Sequence, residues 1–331
     1  MTLPTTFNAF RIHNDDAGYR SGIEALTLDA LNPGEVVIKT AYSSVNYKDA
    51  LAGTGEGKIL RKFPLVGGID VAGHVAASTD PAFREGDAVL VTGCGLSETR
   101  DGGYAEYARL EAKWVIPLPA GLSLRESMIL GTAGFTAALA LFRMRENRQT
   151  PDLGPLAVTG ATGGVGSLAV DIFSKAGFDV HAISGKPENT DYLKAIGARE
   201  VLGRDALATA RPMETARFGG GLDNVGGPML ASLLAQTVPY GNVATAGLAA
   251  SADLPTTVMP FIIRGVSLLG VASAGTARDI RDAVWQHLAS DWKPAHLDTI
   301  CARETSLDGL PDVFRTMLAG GSFGRTLVRM G

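Results

Sequence analysis

The stretch LAVTGATGGVG at 156–166 constrains the fold of this chain more than any other. An apolar, β-leaning run stops on glycines, and SLAVDIFSK at 167–175 then places apolar residues at helical spacing. This reads as strand, tight turn and helix. Such a turn presents bare backbone N–H groups at the positive end of a helix, where the pyrophosphate of a dinucleotide binds. A Cβ would block either the turn or the approach, so glycines are required. The six positions of the G-x-G-x-x-G pattern are occupied by Ala161, Thr162, Gly163, Gly164, Val165 and Gly166. Alanine thus stands in the first glycine's place, with Gly160 immediately before it.

The pattern continues as alternating strand and helix at 156–160, 167–176, 179–184, 189–196, 200–203, 222–226, 229–236, 242–246 and 267–272, which predicts an α/β domain with a doubly wound parallel sheet. The end of the second strand should meet the adenosine ribose. An Asp or Glu there would accept hydrogen bonds from a 2′-hydroxyl. The chain instead has Ser184, Gly185 and Lys186, and Arg204 follows the third strand. A hydroxyl and two cations suit a 2′-phosphate that a carboxylate would repel, so NADPH is the expected cofactor. The plainer alternative is that Lys186 and Arg204 are solvated surface charges.

A chain of 331 residues suits about two domains. Residues 1–123 read as short strands between turns, an irregular β-rich domain with strand signals at 35–45 and 87–92. A capping box at Ser123 and Glu126 opens a helix running towards Leu130, and a second helix follows Gly134. Residues 124–274 form the nucleotide-binding domain. Residues 275–331, with helices at 277–288 and 310–318 and a strand at 325–329, are expected to return to the first domain and leave a cleft. A net charge of −4 without a basic stripe argues against nucleic acid. No signal-peptide pattern or membrane-length apolar run stands out, and Cys94 and Cys301 cannot build a disulfide framework, so a cytoplasmic protein with no membrane partner is expected.

Several strings resemble the medium-chain dehydrogenase/reductase superfamily in its zinc-free quinone-oxidoreductase branch: SVNYKDA at 44–50, GIDVAG at 68–73, DGGYAE at 101–106 and GTAGFTA at 131–137. NYKDAL at 46–51, LPTTVMPF at 254–261 and GRTLV at 324–328 are similar, more narrowly, to the bacterial NADPH-dependent acryloyl-CoA reductases. The resemblance spans essentially the whole chain. It implies a Rossmann domain, a GroES-like catalytic domain, a homodimer, and reduction of a short enoyl-CoA by hydride addition to the β-carbon and protonation of the α-carbon.

The resemblance also implies site residues. Tyr47 and Arg325 are the catalytic candidates beside nicotinamide and thioester, with Arg325 binding or polarising the thioester end. Thr136, Gly247, Leu248, Ile262 and Ser273 join the glycine turn, Ser184, Gly185, Lys186, Arg204, Tyr47 and Arg325 as cofactor-binding positions. Asn46 stands where zinc-bearing relatives have a cysteine ligand, and Gly68, Ile69 and Asp70 replace Gly-His-Glu. Catalytic zinc needs thiolate or imidazole ligands, so no metal is expected, and the nearby His74 reads as an ordinary histidine. Lys58, Arg61 and Lys62 crowd one loop and would steer an anionic substrate, or else form a solvated loop. Two other readings stay open: a reductase of free quinones or enals, and a non-enzymatic NADPH-binding protein.

Overall fold

The computed structural model describes residues 3–331. The chain runs through β1 (Phe7–Asp15), β2 (Gly18–Leu26), β3 (Val36–Val45), α1 (Tyr47–Thr54), β4 (Leu65–Val66), β5 (Asp70–Ser78), β6 (Ala88–Thr92), β7 (Tyr107–Leu110) and β8 (Ile116–Pro117). α2 (Leu124–Glu146) leads into β9 (Leu156–Thr159), α3 (Gly164–Lys175), β10 (Val180–Ile183), α4 (Thr190–Ala195), β11 (Glu200–Leu202), β12 (Phe218–Asp223), α5 (Gly227–Ala235) and β13 (Thr237–Thr245). The last elements are α6 (Met259–Arg264), β14 (Ser267–Gly270), α7 (Arg278–Ala289), α8 (Leu297–Ile300), β15 (Cys301–Thr305), α9 (Leu310–Leu318) and β16 (Arg325–Arg329).

Two compact units result. The first holds residues up to Thr132 with Ala274–Asp282 and Cys301–Gly331; the second holds Ala133–Ser273 and Ala283–Ile300. Sequence reading places the first change of unit at 123/124 and keeps all of 275–331 in the first. Residues 283–300 instead pack in the second unit. Trp285 is fully buried and stacks on Phe135 at 6.0 Å, and the Asp171 carboxylate accepts bonds from the backbone N–H groups of Ala295 (3.1 Å) and His296 (2.8 Å).

The second unit is a parallel sheet of order β11-β10-β9-β12-β13-β14. Strand order reverses between β9 and β12, the place where such sheets open a crevice at their carboxyl ends. β12 starts four residues before the expected strand because Gly219, Gly220 and Gly221 belong to it. Glycine is a weak strand former, but a Cβ on Gly221 would run into the Ala157 carbonyl of the neighbouring strand. Close backbone packing thus overrides propensity.

The first unit contains a three-stranded sheet, β2-β1-β4, and a seven-stranded one, β15-β16-β3-β5-β6-β8 with β7 paired to β3. α1 packs on α9, and a Cβ on Gly53 would overlap the Phe314 ring. Phe314 meets Phe10 edge-on at 5.8 Å and Tyr104 at 6.3 Å within the core of this unit.

α2 differs from expectation in two ways. The break between its halves is at Gly131 (φ 51°, ψ −155°), three residues before the expected restart at Gly134. The whole helix is also long and apolar enough to cross a membrane, although no such run stood out in the sequence. Of its most apolar window, 83% is buried within the fold, as befits a core helix.

Because the Phe314 ring is what α1 rests on, Phe314→Ala should destabilise the protein by about 3–5 kcal/mol through the cavity left behind. Guanidinium unfolding measures this, and a loss below about 1 kcal/mol would show that α1 is held otherwise.

Candidate active site

At the carboxyl end of the parallel sheet a cleft of about 510 Å³ is lined by Gly160, Thr162, Ser184, Gly185, Lys186 and Arg204, with Leu207, Val225, Gly226 and Met229 among its apolar walls. The tight turn is made by Gly160, whose φ of 59° is open to glycine, so the alanine at 161 costs nothing. Ala161 is buried beneath the turn. Gly166 sits so close that a Cβ would strike the Gly160 carbonyl and Ala161. Gly163 is the extended residue before α3, and Gly164 and Val165 form its first turn, partly exposed.

Beside the turn, the Thr159 hydroxyl donates to the Asp223 carboxylate (2.8 Å), which also accepts the Gly226 N–H (2.7 Å). The Asn224 amide donates to the Thr159 carbonyl (2.8 Å). These bonds tie the ends of β9 and β12 together on either side of the crevice. Burial pushes the Asp223 carboxyl above its ordinary range, with the Thr159 and Gly226 bonds opposing it. The sequence reading did not single out Asp223 or Asn224. Their signal was available in the LDN string closing a strand.

At the end of β10, the Ser184 hydroxyl accepts the Lys186 backbone N–H at 3.0 Å, which shapes the turn. A Cβ on Gly185 would overlap the Arg204 guanidinium, so the glycine lets that side chain lie across it. Ser184, Gly185, Lys186 and Arg204 also line an adjoining recess of about 460 Å³, which Asp205 shares. Thr162 and these four are the predicted positions that line the main cleft. Thr136 is buried in α2, Gly247 is half-buried against the Asn224 carbonyl, and Ser273 is half-buried in a short turn; none of them lines it. Leu248 and Ile262 are 67% and 74% exposed outside it.

In the first unit, Tyr47 is the first residue of α1 and is 56% exposed. Arg325, on β16, is buried. Its guanidinium donates to the Ile129 carbonyl (2.9 Å), the Val45 carbonyl (2.9 Å), Asn46 Oδ1 (3.2 Å) and Ser44 Oγ (2.8 Å). The expectation that this cation meets a thioester therefore needs correcting. All three of its nitrogens donate to the chain itself, which is the geometry of a structural cation.

Two buried carboxylates balance that guanidinium. Asp70 accepts from the Ser44 hydroxyl (2.5 Å), the Asn46 amide (2.8 Å) and both the hydroxyl (2.6 Å) and the N–H of Thr132. A Cβ on Gly131 would crowd Asp70, Ser44 and Arg325, which explains the kink at this residue. Asp49 reaches back to the N–H of Asn46 (2.8 Å), the residue preceding α1, and accepts the Ile69 N–H (2.9 Å). Burial first, and the Asp70 charge second, push the Asp49 carboxyl up to about 7, against the pull of its N–H donors. Burial lowers Arg325, while Asp70 and Asp49 favour its charged form. Among the described residues no three His, Cys, Asp or Glu side chains converge as metal ligands.

A carboxyl whose folded pKa lies above its unfolded one stabilises the fold while protonated. That contribution is complete below the ordinary carboxylate range and is lost as pH rises through about 7. The Tm advantage of wild type over Asp49→Asn should therefore shrink between pH 5 and pH 8. A constant difference across that window in thermal scans would show that Asp49 does not titrate there.

Comparison with known proteins places these features. Residues 32–120 match the alcohol dehydrogenase GroES-like domain, and residues 164–290 match the family described as zinc-binding dehydrogenase. The probable acrylyl-CoA reductase AcuI of Escherichia coli is 44% identical over 97% of this chain and 99% of its own length. The putative quinone oxidoreductase YhfP of Bacillus subtilis is 44% identical over 99% of this chain and all of its own. The crystal structure of YhfP with NAD bound superimposes with a TM-score of 0.95 over 99% of this chain and 100% of that one. The yhdH oxidoreductase of Salmonella enterica, solved in complex with NADP, gives 0.94 at 43% identity over 98% and 100%. Identity at this level over whole chains means that this protein is an oxidoreductase of the medium-chain dehydrogenase/reductase superfamily.

Proposed function

We propose that the protein reduces the C=C bond of a short enoyl-CoA thioester, acryloyl-CoA to propionyl-CoA, with NADPH and without a metal. The observation carrying the cofactor choice is the end of β10. Ser184, Lys186 and Arg204 meet there in one cleft, and no carboxylate stands where a 2′-hydroxyl would need one. The relatives named acrylyl-CoA reductase support the substrate.

The cleft suits a dinucleotide. Gly160 opens the turn, the N–H groups at the start of α3 would face a pyrophosphate, and Lys186 and Arg204 would hold the 2′-phosphate. When bound, NADPH supplies the hydride. Reduction of an enoyl thioester at its β-carbon builds negative charge on the thioester oxygen, which requires a positioned donor. Tyr47 offers an exposed hydroxyl for that role. Arg325 acts as a positioning residue, fixing Val45 and Asn46 directly before Tyr47.

The zinc of alcohol-oxidising relatives does not fit these residues. The Asn46 side chain is a neutral amide that donates to Asp49 and Asp70, Ile69 carries no ligand atom, and the oxygens of Asp70 are filled by hydrogen bonds. These contacts support a reductive role that needs no Lewis acid. The name of the Bacillus relative favours one second reading, reduction of quinones by the same site.

Initial rates with acryloyl-CoA, crotonyl-CoA and a benzoquinone, measured side by side, separate these readings. The thioesters should be preferred, and Tyr47→Phe should lower kcat on them by roughly 10²–10³. Lys186→Ala should weaken NADPH about ten- to a hundredfold while leaving NADH nearly unchanged. Preference for the quinone would establish the second reading, turnover of none would leave a binding protein, and equal losses of NADPH and NADH would remove Lys186 from the 2′-phosphate.

The proposed enzyme is a cytoplasmic homodimer formed through the second unit. β14 is the sheet's edge strand, and Tyr240, Val258, Ile262 and Ile263 expose 60–77% of their surface on nearby elements. An unpaired edge beside an apolar patch favours a second copy. Light scattering at micromolar concentration should give twice the chain mass of 34.5 kDa; a monomer would refute the pairing.

A further inference from the structure

The loop between α1 and β4 carries Lys58, Arg61 and Lys62, all exposed, with Glu56 as its acid. Three other exposed cations of the first unit are paired, Arg20 with Asp15, Arg125 with Glu304 and Arg278 with Asp282. Lys58, Arg61 and Lys62 have no ion-pair partner among the described residues.

The loop is also firmly held. Leu60 is buried beneath it, the Tyr19 ring meets Phe63 edge-on at 5.8 Å, and the Arg61 N–H donates to the Glu98 carbonyl at 2.7 Å. The Glu98 carboxylate pairs with Lys48, the neighbour of Tyr47. Lys48 is held below its ordinary range, by burial first, while Arg61 is close enough to add repulsion and Asp49 opposes it. Unpaired cations are thus kept near one another on a rigid loop, close to the helix turn that presents Tyr47. Like charges fixed together are unfavourable on their own, and an anion relieves them.

We propose that Lys58, Arg61 and Lys62 clamp the phosphates of the CoA nucleotide, the end of the substrate remote from the double bond. The assignment rests on the enoyl-CoA reading and adds to it a division of labour. Tyr47 meets the thioester, and the loop binds the handle. Contacts to a part of the substrate unchanged by reaction bind ground state and transition state alike, so they set KM and leave kcat alone.

The test uses the triple variant K58Q/R61Q/K62Q of the full chain, whose substitutions are exposed and leave the Arg61 backbone bond in place. Acryloyl-CoA is compared with acryloyl-pantetheine, which has the same thioester and lacks the nucleotide. With three exposed charge pairs removed, KM for acryloyl-CoA should rise about tenfold or more. Its kcat, and KM for acryloyl-pantetheine, should stay as in wild type. Added salt should depress wild-type kcat/KM on acryloyl-CoA and act little on the variant. An unchanged KM for acryloyl-CoA, or an equal rise on both thioesters, overturns the clamp while the reductase reading stands. A wild type that reduces neither thioester overturns that reading and the clamp with it.

Discussion

The first unit depends on one buried cation. Arg325 joins the start of β16 to the end of β3, to the turn preceding α1 and to the Ile129 carbonyl in α2, while Asp70 and Asp49 balance its charge through Ser44 and Asn46. Both carboxylates are buried, so each must be answered by hydrogen-bond donors. Loss of one partner in such a cluster typically costs about 3–5 kcal/mol, because the remaining charges stay buried and uncompensated. The Gly131 kink, the seating of α1 and the presentation of Tyr47 all follow from satisfying these groups. A tyrosine carried on a helix tied down in this way, as Tyr47 is, is held more closely than one on a free loop.

Electrostatics acts differently in the cofactor cleft. There Arg204 is exposed and Lys186 half-buried, and an ionic contact near the surface is weak until a ligand displaces water. Steric rules shape the place, through Gly160, Gly166 and Gly185, and we propose that charge selects what enters. We propose the same division for the loop bearing Lys58, Arg61 and Lys62. Buried charge in this protein fixes geometry, and the role we propose for charge nearer the surface is to recognise anions.

The positions that hold zinc in other members of the superfamily are drawn into this buried framework. Asn46 donates to both carboxylates, and Asp70 anchors the Gly131–Thr132 turn. A metal would compete for oxygens already engaged by hydrogen bonds. Reduction of an activated double bond places charge on a substrate oxygen that hydrogen-bond donors can stabilise, so the residue exchange supports the proposed chemistry.

The second unit was largely legible in the sequence. Apolar periodicity located its strands and helices, and the glycines at 160–166 identified the turn, since these follow from local sterics and from a period that any reader can count. Ser184, Lys186 and Arg204 could be brought together because strand order in a doubly wound sheet dictates which loops meet. Other features were decided by the tertiary structure alone. The glycines of β12 became strand because neighbouring backbones left no room for side chains. Residues 283–300 joined the second unit through the buried Trp285 and the acceptor Asp171, and helix α2 broke at Gly131 because Asp70, Ser44 and Arg325 fill the space there. Arg325 itself read as a cation near the chain's end, with nothing local to distinguish a substrate contact from a structural one. Whether a charge binds a ligand or the chain depends on what surrounds it, and its surroundings here come from residues 196 to 281 positions away in sequence.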